Sequence, residues 1–157
     1  MKKSILAGLF LLGGCVTPES AAPPVEVIEY RTSACFGACP VYHIAVSSDG
    51  VVAWEGIQHV ATSGRRQFVI QPREWEAFKA ALAPYRPTGT QVYGSTPETC
   101  SGPIATDAPG VEIRWRDNDR DDYLNAYFGC DLEANRALYQ ALADAPDRLP
   151  LNLYIGR

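Results

Sequence analysis

The sequence lacks the short motifs of several large enzyme classes. It contains no GxSxG nucleophile elbow, no HExxH zinc site and no Walker phosphate loop. Histidine is scarce, since His43 and His59 are the only two. The Ser and Thr residues between positions 87 and 110 have no neighbouring His or Lys to act as a base. We therefore predict no catalytic residue and no cofactor, and we expect a non-enzymatic protein.

Clusters of basic residues are also missing. The chain has 14 basic and 18 acidic residues, a net charge of −4. Lys2 and Lys3 belong to the N-terminal segment discussed next, so 12 basic residues remain after them. Nucleic acids and anionic lipid surfaces are recognised by clustered Lys and Arg. The composition therefore excludes nucleic acid as an expected partner.

No hydrophobic run is long enough to span a bilayer, since the run Ile5–Leu12 covers only eight positions. Lys2 and Lys3 precede this run, and Leu12-Gly13-Gly14-Cys15 follows the bacterial lipobox pattern. We predict that residues 1–14 are a cleaved lipoprotein signal peptide and that the Cys15 thiol accepts the lipid. An ordinary secretory signal with a chance cysteine is the alternative.

Residues 15–24 are predicted to be the lipidated cysteine and a flexible stalk, because positions 16–24 are small, polar and rich in proline. Residues 25–157 form one predicted domain. Two or more acyl chains anchor a protein stably, so the membrane is an expected partner through the lipid anchor. Val16 stands where Asp would retain a lipoprotein in the inner membrane, by resemblance to proteobacterial sorting. We therefore expect the outer membrane and a domain that faces the periplasm.

Four further cysteines remain: Cys35, Cys39, Cys100 and Cys130. An even number in an exported chain predicts two disulfides, and four cysteines allow three connectivities. Pairing the close residues Cys35 and Cys39 leaves Cys100 with Cys130 by default. The longer loop would contribute about 3–4 kcal/mol and the shorter one about 2 kcal/mol.

Hydrophobic periodicity predicts an α+β domain in the order ββββαββα, with about six strands in a mainly antiparallel sheet and two helices. The strands are expected at 25–32, 41–47, 51–55, 65–70, 111–116 and 123–128. Pro72 is predicted to begin the first helix and Asp131 to cap the second. The alternating residues of 149–155 indicate a terminal strand or arm.

The second and third strands are predicted to form a hairpin. A three-residue loop with Gly50 in the left-handed conformation places Ile44, Val46, Val52 and Trp54 on one face. His43 and Glu55 then lie across from each other on the opposite face. This register separates apolar from polar side chains, whereas a two-residue loop mixes them.

The segment Cys35-Phe36-Gly37-Ala38-Cys39-Pro40-Val41-Tyr42, with Asp49-Gly50-Val51 and Glu55-Gly56 after it, resembles the signature of domain of unknown function 6438. The similarity covers roughly residues 25–145. It implies a small α+β domain of the kind found in exported and lipid-anchored bacterial proteins, and it implies no particular activity.

Three interpretations of CFGACP stay open. As a structural element, its disulfide closes a turn before the next strand. As a redox pair, it has the wrong spacing for a thioredoxin motif and no predicted helix behind it. As a copper site, it is similar to the CxxxCP motif of Sco-type chaperones, with Cys35, Cys39 and either His43 or His59 as ligands.

Residues 87–110 are rich in Pro, Gly, Ser and Thr. An irregular loop of that length usually either has a function or is held in place by contacts with the rest of the domain. We expect this segment to be the contact surface for a ligand or another envelope protein. The acidic run 117–122 is predicted to be a solvated turn, because it lacks the spacing of a calcium loop. The sequence thus favours a binding or envelope-structural role, with a copper or thiol–disulfide protein as the alternative.

Overall fold

The computed structural model describes residues 25–156. The predicted signal peptide (1–14), the lipid-acceptor Cys15 and the stalk (15–24) lie outside the described residues. Within the described range, the chain forms seven strands and three α-helices. The strands are β1 (Val27–Thr32), β2 (Val41–Ser47), β3 (Val51–Gln58), β4 (Gly64–Val69), β5 (Thr90–Tyr93), β6 (Gly110–Arg116) and β7 (Asp121–Tyr127). The helices are α1 (Pro72–Leu82), α2 (Leu132–Asp144) and α3 (Asn152–Ile155).

All seven strands belong to one sheet, in the order β4-β3-β2-β1-β6-β7-β5. Every neighbouring pair is antiparallel except β5 and β7, which run parallel. The predicted fold class, α+β with a mainly antiparallel sheet, is confirmed. The sheet has one strand more than predicted, because β5 forms inside the segment that the sequence marked as an irregular loop.

The β2–β3 hairpin has the predicted register. Ile44 lies opposite Trp54 and Val46 opposite Val52, and all four side chains are buried. Gly50 has a φ of 87°, the left-handed conformation that the three-residue loop requires. Its Cβ would stand 2.9 Å from the carbonyl oxygen of Ile70, so both backbone conformation and space select glycine here.

One face of the sheet packs against the helices and the other is open. Buried residues alternate along each central strand, and they join one core cluster with Trp75 and Phe78 of α1 and Leu142 of α2. The Tyr30 hydroxyl donates to the Leu142 carbonyl oxygen at 3.0 Å and fixes α2 to the sheet. The open face carries polar side chains such as His43 and Glu112. None of the helices within residues 25–156 has the length and apolarity that a membrane crossing requires.

The two long helices begin where predicted, but their caps differ. Pro72 is the first residue of α1, and the Gln71 N–H donates to the Glu74 carboxylate at 2.7 Å. Asp131 precedes α2 as predicted, yet it has a φ of 42° and its side chain makes no capping hydrogen bond. The reason is that the Asp131 N–H donates to the Pro103 carbonyl at 2.7 Å, which fixes its backbone in the left-handed region. The predicted side-chain cap is therefore wrong.

For residues 149–155 the sequence predicts a terminal strand or arm, and the strand is wrong. Residues 145–148 form a 3₁₀ turn and 152–155 form α3. Leu151 and Ile155 are buried on one side of α3, whereas Leu153 is 85% exposed. Leu151 and Ile155 are four positions apart, and this spacing puts both on one face of a helix. The same spacing also puts both on one face of a strand, so the sequence did not distinguish a helix from a strand.

Candidate functional site

The Cys35–Cys39 disulfide closes the connection between β1 and β2, with 5.7 Å between the Cα atoms. The Thr32 hydroxyl donates to the Pro40 carbonyl at 2.8 Å and accepts the Tyr42 N–H at 2.9 Å, and the Phe36 N–H donates to the Asp107 carbonyl at 3.0 Å. Strand β2 follows the motif, so no helix N-terminus is present to stabilise a thiolate. This geometry supports the structural interpretation of CFGACP.

The second disulfide joins Cys100 to Cys130, with 5.6 Å between the Cα atoms. The default pairing predicted from the sequence is thus confirmed. Both cysteines are buried, and the Tyr139 hydroxyl donates to the Cys130 carbonyl at 2.6 Å. The bond therefore fixes the long segment before β6 to the start of α2.

Residues 94–109, which follow β5, are held by a set of backbone contacts. The Gly94 N–H donates to the Thr99 carbonyl at 2.9 Å, and the Ala105 N–H donates to the Gly129 carbonyl at 2.8 Å. The Tyr127 hydroxyl donates to the Ala105 carbonyl at 2.8 Å and accepts the Ala108 N–H at 3.1 Å. These hydrogen bonds hold the segment against the rest of the domain at several points, so it is an ordered part of the surface and not a free loop.

This segment encloses a cleft of about 380 Å³ against the open face of the sheet, which we call the polar cleft. Its lining residues are Arg31, Thr32, Ser33, Val92, Gly94, Ser95, Thr96, Thr99, Gly110, Val111, Glu112, Asn125, Ala126 and Tyr127. A second cavity of about 640 Å³ lies against β5, residues 97–101 and the start of α2. Volumes of this size fit small-molecule ligands.

Two opposite charges stand side by side in the polar cleft. Arg31 of β1 lies directly opposite Glu112 of β6, and neither forms an ion pair within residues 25–156. Asn125 lies opposite Glu112 on the other side. The charges of Arg31 and Glu112 cancel, while the guanidinium and the carboxylate remain available. Most hydroxyls of the lining already bond to the protein itself. The arrangement suits a polar ligand without net charge.

His43 lies on the open face between Arg31 of β1 and Glu55 of β3, in the predicted register. Its Nε2 atom is buried and has no hydrogen-bond partner within the described part of the chain. Burial, and then the charge of Arg31, lower the pKa of His43, against the opposing effect of Glu29 and Glu55. The Glu55 carboxylate binds Arg65 at 3.1 Å instead.

The structure does not assemble the copper ligand set proposed from the sequence. Within residues 25–156, no three His, Cys, Asp or Glu side chains lie close enough together to hold a metal ion. Cys35 and Cys39 are bonded to each other, His43 faces Glu55 and Arg31, and the exposed His59 lies 2.9 Å from the Gln58 side-chain amide. Copper binding by the reduced protein stays a prediction.

The sequence reasoning missed an ion-pair cluster around Arg86. Its guanidinium binds Asp122 at 2.7 Å, Asp117 at 2.9 Å and Glu26 at 3.4 Å. Asp122 is only 3% exposed, so the prediction of a solvated turn over 117–122 is wrong at this residue. The only signal was an acidic run with an arginine elsewhere in the chain, which does not identify a pair.

A family model described as Domain of unknown function (DUF6438) matches residues 26–146. The match begins just before β1 and ends just after α2, so it includes the whole sheet and both disulfides. Among curated proteins, none matches this sequence.

Proposed function

We propose that this chain, which belongs to the DUF6438 family, is a lipid-anchored binding protein of the bacterial envelope whose domain faces the periplasm. The lipobox at Cys15 supports the anchor, and Val16 favours the outer membrane. The two disulfides support an exported location, because such bonds form and persist in oxidising compartments. We propose no catalytic role for the chain.

The polar cleft is the observation that carries the binding role. Folding leaves Arg31 and Glu112 unpaired in a cleft whose wall is fixed by the Cys100–Cys130 disulfide. A fixed wall lowers the entropy lost when a ligand binds. The ligand class that the cleft fits is a small polar molecule, or a polar part of an envelope component, without net charge.

The test is retention of envelope components on the full-length lipidated protein. Tagged wild-type protein is compared with the Arg31→Ala/Glu112→Gln variant after detergent extraction of membranes. Arg73→Ala serves as the matched control, because Arg73 is an exposed arginine on α1 outside the cleft. We expect the double variant to lose a component that both wild type and control retain. Equal retention by all three proteins would reject the cleft as the binding site.

A copper or thiol–disulfide role is the second candidate. Cys35 and Cys39 are partly exposed, whereas Cys100 and Cys130 are buried, so a reductant or metal would reach the first pair more easily. Titration of the reduced protein with Cu(I) tests this candidate. Tight binding that disappears in Cys35→Ser supports it, and absence of tight binding, or unchanged binding in that variant, removes it.

A further inference from the structure

Strand β5 lies at one end of the sheet and pairs with β7 alone. The Tyr123 N–H of β7 donates to the Gly89 carbonyl at 2.8 Å, so residues in step with Gly89 direct their backbone groups toward β7. This direction alternates along a strand, and the N–H and C=O groups of Thr90 and Val92 therefore point outward. Within residues 25–156, no further strand lies on that side to pair with them.

The two outer strands of the described sheet differ in charge. Strand β4 carries Arg65 and Arg66, and charged side chains on an edge strand discourage pairing with another chain. Strand β5 reads Thr-Gln-Val-Tyr, without a charged residue or a proline. It is therefore the edge better suited to accept a further strand.

The cavity of about 640 Å³ described above lies along this edge, and we call it the edge groove. Strand β5 forms one side, and residues 97–101 with the start of α2 form the other. The Cys100–Cys130 disulfide joins the two parts of this second side, and the Asn135 side-chain amide donates to the Cys130 carbonyl at 3.3 Å. The groove is therefore held in shape before any ligand arrives, which lowers the entropy lost on binding.

The edge groove is acidic. Glu98 and Asp131 are among its lining residues, and within the described range this lining includes no Lys, Arg or His. Neither carboxylate forms an ion pair within residues 25–156. A hydrogen bond from the Thr96 side chain lowers the pKa of Glu98, so this carboxylate is charged at neutral pH. Positively charged side chains therefore complement the groove, whereas a second copy would bring the same two carboxylates to the contact.

We infer that the edge groove binds an extended peptide segment of another protein, which pairs with β5 and directs basic side chains toward Glu98 and Asp131. In such strand addition, main-chain hydrogen bonds provide affinity and alternate side chains provide specificity. The four residues of β5 span roughly 13 Å, so a segment of about five residues pairs with its full length. The edge groove shares only Val92 and Thr99 with the polar cleft, and the inference does not rest on the proposed function.

The test uses the full-length lipidated protein in mild detergent, with short synthetic peptides as probes. The capped peptide Thr-Lys-Val-Lys-Thr places both lysines on one face of a strand, and Thr-Glu-Val-Glu-Thr replaces them by glutamates. We expect the lysine peptide, carrying a fluorescent label, to bind about fivefold or more tightly than the glutamate peptide in an anisotropy titration. Absence of binding by the lysine peptide, or equal affinities of the two peptides, would overturn the inference.

Backbone methylation of the lysine peptide separates strand pairing from simple charge attraction. One peptide carries N-methyl groups on its second and fourth residues, and its matched control carries them on the third and fifth. Alternate N–H groups of a strand point to opposite sides, so one pattern should abolish binding and the other should not. The unmethylated peptide should also slow amide hydrogen exchange at Thr90 and Val92 but not in β4. Equal binding of both methylated peptides, or unchanged exchange at Thr90 and Val92, would reject strand addition.

Substitutions in the protein test the charge recognition from the other side. Asn is among the residues that tolerate a left-handed backbone, so Asp131→Asn keeps the φ of 42° at this position. Glu98→Gln/Asp131→Asn should bind the lysine peptide about fivefold more weakly than the wild type. Glu133→Gln is the matched control, because Glu133 is exposed on α2 and lies outside the lining of the groove. Equal affinities of the double variant and the wild type would contradict the inference.

Discussion

Arg86 and Asp122, 36 positions apart in the chain, are joined by a 2.7 Å contact between Nε and Oδ2. The same carboxylate accepts the Gly89 N–H at 2.8 Å and binds Arg120 at 2.8 Å. Arg86 also reaches Asp117 and Glu26. The cluster therefore links the chain after α1, the start of β7 and the residue before β1.

Replacing Arg86 by Met should lower the free energy of unfolding by about 2–3 kcal/mol, because the buried Asp122 carboxylate loses its main charged partner. Thermal and urea unfolding of the two proteins measure this difference. Arg73→Met is the control, since Arg73 is exposed on α1 and forms no ion pair within residues 25–156. An equal effect of both substitutions would show that the cluster adds nothing to stability.

The same cluster predicts acid sensitivity. Burial opposes the charged form of Asp122, but the Gly89 N–H, Arg86 and Arg120 outweigh it and hold the pKa of Asp122 below its ordinary value. The Arg86 hydrogen bond likewise lowers the pKa of Asp117. The stabilisation is therefore complete above about pH 4 and decreases as the pH falls further. Below about pH 4, the free energy of unfolding of Arg86→Met should therefore decrease less steeply with falling pH than that of the wild type.

His43 predicts a second pH effect, at higher pH. Its lowered pKa means that the unfolded chain binds a proton more readily than the folded one. Stability should therefore be highest above about pH 6.5 and decrease as the pH falls toward the folded pKa. His43→Gln should flatten the curve of unfolding free energy between pH 7 and 5. A wild-type curve that is flat between pH 7 and 5 would contradict the prediction.

The two disulfides should differ in stabilisation and in access to reductant. Replacing Cys100 and Cys130 by Ser should cost about 3–4 kcal/mol, and replacing Cys35 and Cys39 about 2 kcal/mol, because the first bond closes the longer loop. Mild reductant should open Cys35–Cys39 first, since that pair is partly exposed and the other is buried. Thiol counting during stepwise reduction measures the order. Simultaneous opening, or earlier opening of Cys100–Cys130, would contradict it.

Local signals in the sequence were sufficient for much of the fold. The hairpin register followed from the alternation of Ile44, Val46, Val52 and Trp54, because only one register puts all four on the same face. Pro72 marked the start of α1 through its fixed φ and missing N–H. The disulfide pairing followed from the short distance in sequence between Cys35 and Cys39.

The features that the sequence did not predict depend on distant parts of the chain. Strand β5 has only four residues, and it forms by parallel pairing with β7, about thirty positions later. Arg86 has no sequence neighbour that identifies Asp122. The polar cleft joins Arg31, Glu112 and Asn125 only after β1, β6 and β7 pair. Residues between 92 and 110 line one side of this cleft, and the expectation that 87–110 form a contact surface stays a prediction.

Metabolic labelling with radioactive palmitate tests the central proposal, a lipid-anchored envelope protein, most directly. The full-length chain and its Cys15→Ser variant are expressed in a bacterial host, and the labelled proteins are separated after membrane fractionation. The account predicts a labelled, membrane-bound wild-type protein of the processed size and an unlabelled Cys15→Ser variant. An unlabelled wild-type chain that stays unprocessed in the cytosol, with its four domain cysteines reduced, would contradict it.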